Sequence, residues 1–142
     1  MPPGDRQRLE DLEAWVAALC ESAAPLLVEG TNDREALRAI GITNRIEVIN
    51  RGVPLVDLAE SLGVDGTTWV ILTDRDRKGG GLARQLEVLL RASGAAADHR
   101  WRRDLFRTAR VREIEELLPY LRGLQDRVRP VGRRVREHFV QG

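Results

Sequence analysis

The sequence predicts an α/β fold, a parallel sheet of about four short strands covered on both faces by helices. Three observations predict it. Short apolar runs at PLLV (25–28), RIEVIN (45–50) and TTWVILTD (67–74) alternate with stretches of helical period. Each run stops at a polar or glycine-containing turn. The 142 residues suffice for one domain with a sizeable core and not for two.

The elements follow in order. Residues 5–22 place Leu9, Leu12, Val16 and Leu19 on one helical face with Trp15 alongside, which makes a packing helix. The run ending at Gly30 reads as a buried strand, and TNDREALRAIG (31–41) as a helix capped by Asn32, with Glu35 three residues on. RIEVIN is the second strand. PLVDLAESLG (54–63) is the next helix, with Pro54 in its first turn and Gly63 at its end. TTWVILTD is the strongest strand, GGLARQLEVLLRASG (80–94) the following helix, and AAADHRWR (95–102) a weaker edge strand. Beyond it, Ile114, Leu117, Leu118 and Leu121 recur at helical spacing, and Pro130 interrupts a last helix-like stretch reaching Phe139. The boundaries are an N-terminal helix over 1–24, the sheet domain over 25–105 and a helical, basic C-terminal extension over 106–142, either packed or a free arm.

Composition narrows the function. The single Cys20 excludes an internal disulfide and leaves no thiol pair for zinc or redox chemistry. No secretory leader pattern opens the chain and no apolar run approaches membrane-spanning length, so a cytoplasmic protein with no membrane partner is expected. The net charge is +1, yet the 12 cations of residues 99–142 are all arginine and outnumber the acids there, whereas acids predominate before them. Lys78 is the only lysine, which points to a genomic preference for arginine but leaves the asymmetry unexplained. Arginine suits phosphate because its planar fork makes two hydrogen bonds at once.

In an open α/β sheet ligands bind at the carboxyl ends of strands. Glu29 ends the first strand, Asp74 ends the third, and Asp76 lies two residues beyond, on the same side of an extended segment. With the first and third strands adjacent, as in a 2-1-3-4 order, the three carboxylates face one spot. Unrelieved, they would repel, and a hard divalent cation removes that cost: magnesium (Mg2+), with manganese as a substitute, held by carboxylates, waters and a phosphate. His99 and His138 lie away from these strand ends in sequence, which disfavours zinc. Gly79, Gly80 and Gly81 at the start of the next helix would let a phosphate approach bare N–H groups, with Arg75, Arg77 and Lys78 adding positive charge. Asp33 either complements the helix dipole or orients a metal ligand. Arg100, Arg102, Arg103 and Arg107 are either a solvated face or, alternating with Trp101, Leu105 and Phe106, a phosphate-tracking surface with an aromatic platform.

The pairing of VEGTNDREAL (28–37) with VILTDRDRKGGGLA (70–83) resembles the topoisomerase–primase (toprim) domain, marked by Glu-Gly after the first strand and Asp-x-Asp after the third. The resemblance covers roughly residues 25–105 and is nearest to small single-domain archaeal toprim proteins, in which the EIEEL pattern (113–117) and an N-terminal helix recur. It implies a Rossmann-like toprim fold and maps the family's acids onto Glu29, Asp74 and Asp76 as metal ligands and catalytic groups, with Gly30 and Asp33 as the accompanying glycine and acid. It also implies magnesium-dependent chemistry on nucleic-acid phosphodiesters, by a nuclease or by nucleotidyl transfer. The topoisomerase nucleophile is a tyrosine on a separate domain, and the only tyrosine here, Tyr120, has no such setting. The expectation is a nuclease or nucleotidyl-transfer protein with RNA favoured over DNA, or else a non-catalytic metal- and nucleic-acid-binding module of a larger assembly.

Overall fold

A computed structural model describes residues 3–129. Along the chain the elements are α1 (Asp5–Ser22), β1 (Leu26–Val28), α2 (Thr31–Ala39), β2 (Ile46–Val48), α3 (Leu55–Leu62), β3 (Thr68–Ile71), α4 (Arg77–Ala92), β4 (Ala96–Asp98), α5 (Arg100–Thr108), a 3-10 turn over Ile114–Glu116 and α6 (Leu117–Val128). The four strands form one parallel sheet in the order β2-β1-β3-β4, with Leu26 opposite both Ile46 and Val70. This is the expected α/β architecture and the order that sets β1 beside β3. No helix among the described residues is long and apolar enough to cross a membrane.

The apolar runs are continuous because both faces of the sheet are covered. Leu26, Val28, Val70 and Leu72 join one core with Leu12, Leu19, Leu37 and Leu105. Leu27, Trp69 and Ile71 join the other with Leu58, Leu86 and Leu90 of α3 and α4. Full burial of each such leucine contributes about 2 kcal/mol.

Four local expectations are corrected. Helix α2 starts at Thr31, so Gly30 and not Asn32 is its N-cap, and the reciprocal bond comes from the Asp33 carboxylate, which accepts from Gly30 N–H at 3.0 Å. Pro54 stands at the N-cap of α3, one position before its first turn. Helix α4 begins at Arg77, three residues early, because the Asp76 carboxylate caps it by accepting from Gly79 N–H at 2.6 Å. The 25–105 boundary cuts through α5, a helix in its own right whose Leu105 and Phe106 are buried.

Of the two alternatives for the C-terminal extension, residues 106–129 take the packed one. Ile114, Leu117 and Leu124 are fully buried, α6 packs on α1 and α2, and Arg127 Nε donates to Asp5 at 2.8 Å. The N-terminal helix and the C-terminal segment thus close one face of the sheet together. Trp15 Nε1 donates to the Trp101 carbonyl at 3.0 Å and the two rings meet edge to face. The helix-like stretch from Pro130 to Phe139, His138 included, lies outside the described residues.

Candidate functional site

Glu29 immediately follows β1, and Asp74 and Asp76 follow β3, so the sheet order delivers all three to one end. Each spends one carboxylate oxygen on a backbone N–H: Glu29 Oε2 accepts from Asp74 at 2.8 Å, Asp74 Oδ1 from Ile114 at 2.8 Å, and Asp76 Oδ1 from Gly79. The second oxygen of each accepts no hydrogen bond among the described residues. Three carboxylates are therefore fixed in place through one oxygen and left open at the other.

Their fields overlap. Burial pushes the Asp74 carboxyl from the ordinary 3.8 up to about 6; the Ile114 N–H opposes the rise, and the charges of Asp33, Glu29 and Asp76 add to it. Asp33 is raised too, by burial first, against its bond from Gly30 and with Glu115, Glu29 and Glu113 adding to the rise. Helix α5 brings a positive charge to the acids. Arg102 donates from Nε to the Thr73 carbonyl at 2.9 Å and from Nη2 to the Asp74 carbonyl at 2.6 Å. Burial lowers its pKa, and the charges of Asp76, Glu29 and Asp74 act in the opposite sense.

The glycine run has a different role from the one expected. Gly79 is buried, and a Cβ there would fall on the Asp74 carbonyl oxygen. Its own N–H is taken by the Asp76 carboxylate, and that of Gly80 by the Asp76 carbonyl at 2.9 Å. The glycines thus let α4 start directly beneath the Asp74 loop and do not open a nest of bare N–H groups. Thr73 Oγ1 completes the join by donating to the Gly79 carbonyl at 2.7 Å. Gly79→Ala is accordingly expected to destabilise the protein by roughly 2–4 kcal/mol, read as a drop in denaturant midpoint, while Gly81→Ala, where a Cβ meets only the Arg84 side chain, changes it by less than about 1 kcal/mol.

The predicted basic residues separate into groups. Arg75, Arg102 and Arg103 line a pocket of about 480 Å³ beside the acids. Arg77 and Lys78 are exposed in the first turn of α4. Arg100 stands apart, paired with Asp98 of the edge strand at 2.9 Å. The aromatic platform is not formed: Trp101 packs inward on Trp15, and the ring of Phe106 lies under the Arg102 guanidinium at 5.7 Å.

Sequence reasoning missed Arg84 and His99, which line the same pocket, and the Ile114 N–H with its flanking Glu113 and Glu115. The EIEEL pattern was the available signal for the latter. A second cleft, about 460 Å³, is lined by Asp76, Arg112, Glu113 and Glu116.

Among the described residues no group of three or more His, Cys, Asp or Glu side chains is arranged to hold a metal ion unaided. Magnesium asks for less: one or two carboxylates, with waters and a phosphate in the rest of its shell. Asp74, with one open oxygen and a pKa raised first by burial and then by the charges around it, fits such a ligand, and Asp76 and Glu29 add their charges to it.

The chain is 36% identical over 113 residues to a UPF0292 protein of Pyrococcus horikoshii, covering 78% of this chain and 84% of that one. It is 36% identical over 108 residues to a UPF0292 protein of Thermococcus sibiricus, covering 75% and 84%, and 30% identical over 96 residues to one of Thermoplasma volcanium, covering 68% and 81%. Among solved structures, a protein from Aquifex aeolicus matches with a TM-score of 0.64 and 27% identity over 74% of this chain and 96% of that one. No family model matches the chain.

Proposed function

The chain belongs to the UPF0292 family, and from the site it builds we propose a magnesium-dependent protein acting on nucleic-acid phosphodiesters, RNA in preference to DNA, by hydrolysis or nucleotidyl transfer. The observation that carries this reading is the convergence of Glu29, Asp74 and Asp76, each pinned by one oxygen and open at the other, beside an arginine-lined pocket. The toprim resemblance of the two acidic motifs points the same way.

Bound magnesium, or manganese in its place, would neutralise charge on the attacked phosphate and lower the pKa of a coordinated water. The protein's own groups prepare the place. Glu29 holds the Asp74 loop through its N–H, Ile114 through its carboxylate, and Arg102 through the Thr73 and Asp74 carbonyls. Arg75 N–H donates to the Arg112 carbonyl, which ties the loop between the two aspartates to the C-terminal segment. Asp33 acts from behind, fixing the Gly30 turn from which Glu29 projects.

A non-catalytic metal- and nucleic-acid-binding module is the second reading. The observation that favours it is the burial of Glu29 and its bond to Asp74 N–H, which make Glu29 a structural pin as well as a candidate base. Incubation of the purified protein with structured and single-stranded RNA and DNA, with and without magnesium, separates the two.

The arginines give an independent check. Binding to single-stranded RNA should weaken with salt, with a log–log slope of about −0.7 for each phosphate neutralised. Arg103→Ala is expected to flatten that slope by roughly 0.7, while Arg100→Ala, already paired with Asp98, leaves it nearly unchanged. Equal effects of the two variants would contradict this partition of the basic residues.

A further inference from the structure

We infer that the pocket between α4 and α5 is a binding site for a terminal phosphate, carried either by the end of a nucleic-acid strand or by a free nucleotide. Arg84 of α4, Arg103 and Arg107 of α5, and Arg75 of the Asp74–Asp76 loop line it with Arg102. Of these, only Arg102 makes a side-chain hydrogen bond with the described residues; Arg75, Arg84, Arg103 and Arg107 make neither a side-chain hydrogen bond nor an ion pair there. The one acid of the lining, Glu87, already faces Arg91 and His99, each at 3.4 Å. Four guanidiniums, those of Arg75, Arg84, Arg103 and Arg107, therefore gather around a concavity with no carboxylate of the described residues paired to them, whereas Arg102 feels the charges of the acid cluster next door.

Arg84 and Arg102 sense each other's charge, and the Arg84 guanidinium lies beside Gly80 in the lining. Such a cluster is repulsive until an anion enters. An internal diester brings one negative charge, whereas a terminal phosphate brings about 1.5 to 2 and presents three acceptor oxygens. Several arginine forks converging on one cavity suit the terminal group, and 480 Å³ is ample for it. The ring of Phe106 forms part of the wall and is covered by Arg102, so the apolar floor and the charge occupy the same pocket.

This inference rests on the nucleic-acid reading for the kind of molecule that carries the phosphate, but not on the metal, so it is tested in EDTA. Short, internally labelled RNAs bearing a 5′-phosphate, a 3′-phosphate or hydroxyls at both ends are titrated with the full chain, and ATP is used as competitor. One phosphorylated end is expected to bind roughly tenfold more tightly than the hydroxyl strand. Arg84→Ala and Arg107→Ala, both exposed and remote from the core, should each remove most of that preference and leave any magnesium-dependent thermal shift of the protein unchanged. A preference for one strand end that ATP does not displace assigns the pocket to strand termini. Displacement by ATP at concentrations near its own dissociation constant assigns it to free nucleotides. Equal affinity for all three strands, with no binding of ATP, overturns the inference, and it does so whether or not magnesium-dependent activity is found.

Discussion

Asp74→Asn is expected to reduce magnesium-dependent product formation on a nucleic-acid substrate by at least about 10²–10³-fold while leaving binding of that substrate in place. The reasoning is geometric. Asparagine keeps the oxygen that accepts the Ile114 N–H at 2.8 Å, so the loop and the C-terminal turn stay joined. What disappears is the negative charge on the open side, where a cation would sit. Arg102 and its neighbours are untouched, and with one anion fewer beside them binding should hold or tighten. Asp76→Asn should behave alike, since the amide oxygen can still accept from Gly79. Glu29→Gln distinguishes the roles open to Glu29. It retains the bond to Asp74 N–H; if Glu29 is a general acid-base, turnover falls by roughly 10²–10⁴-fold at saturating metal, and if it is only a ligand or pin, the loss appears as a higher magnesium requirement. Product from the native protein that never exceeds that of Asp74→Asn, across RNA and DNA substrates, would sink the enzymatic reading and leave the binding module.

How much of this was legible depended on whether a feature was local. The strand–turn–helix alternation follows from short apolar runs, the 2-1-3-4 order is assumed as the common one for such sheets and is the order observed, and the three acids were found because strand ends are where a parallel sheet gathers side chains. The partner of Asp74 was not visible, because Ile114 is 40 residues away and the periodicity of residues 105–124 suits a packed helix and a detached arm equally well. The stretch from Arg100 to Thr108 misled for a different reason. Read in alternation it offers a row of arginines and aromatics, but at helical period Trp101 and Leu105 share one face, and the structure takes that face into the core. Gly79 shows a third limit. A glycine before a helix suits an anion nest and a close backbone contact alike, and only the position of the Asp74 carbonyl decides for the contact.

The metal-free protein should carry the cost of its own site. With its carboxyl raised from 3.8 to about 6, Asp74 weakens the folded state whenever it is ionised there, so its penalty is full above about pH 6, shrinks as pH falls through that value and vanishes below about 3.8. In EDTA at pH 8, Asp74→Asn is therefore expected to be more stable than the native protein. Two units would correspond to about 3 kcal/mol, and the partial exposure of the group reduces this to on the order of 1–2 kcal/mol, or roughly 3–6 °C in Tm. The gain should disappear by pH 4. Asp33, raised in the same direction, leaves a residual slope in the variant. Magnesium should reverse the order. Bound to the native site it adds about 2.7 kcal/mol at a hundredfold excess over its dissociation constant, while Asp74→Asn, lacking the open anionic oxygen, gains little. Thermal melts of both proteins at pH 8 and pH 4, in EDTA and in millimolar magnesium, read all of these effects at once. A native melting curve indifferent to magnesium, together with a variant no more stable than the native protein in EDTA, would show that these carboxylates do not form a cation site.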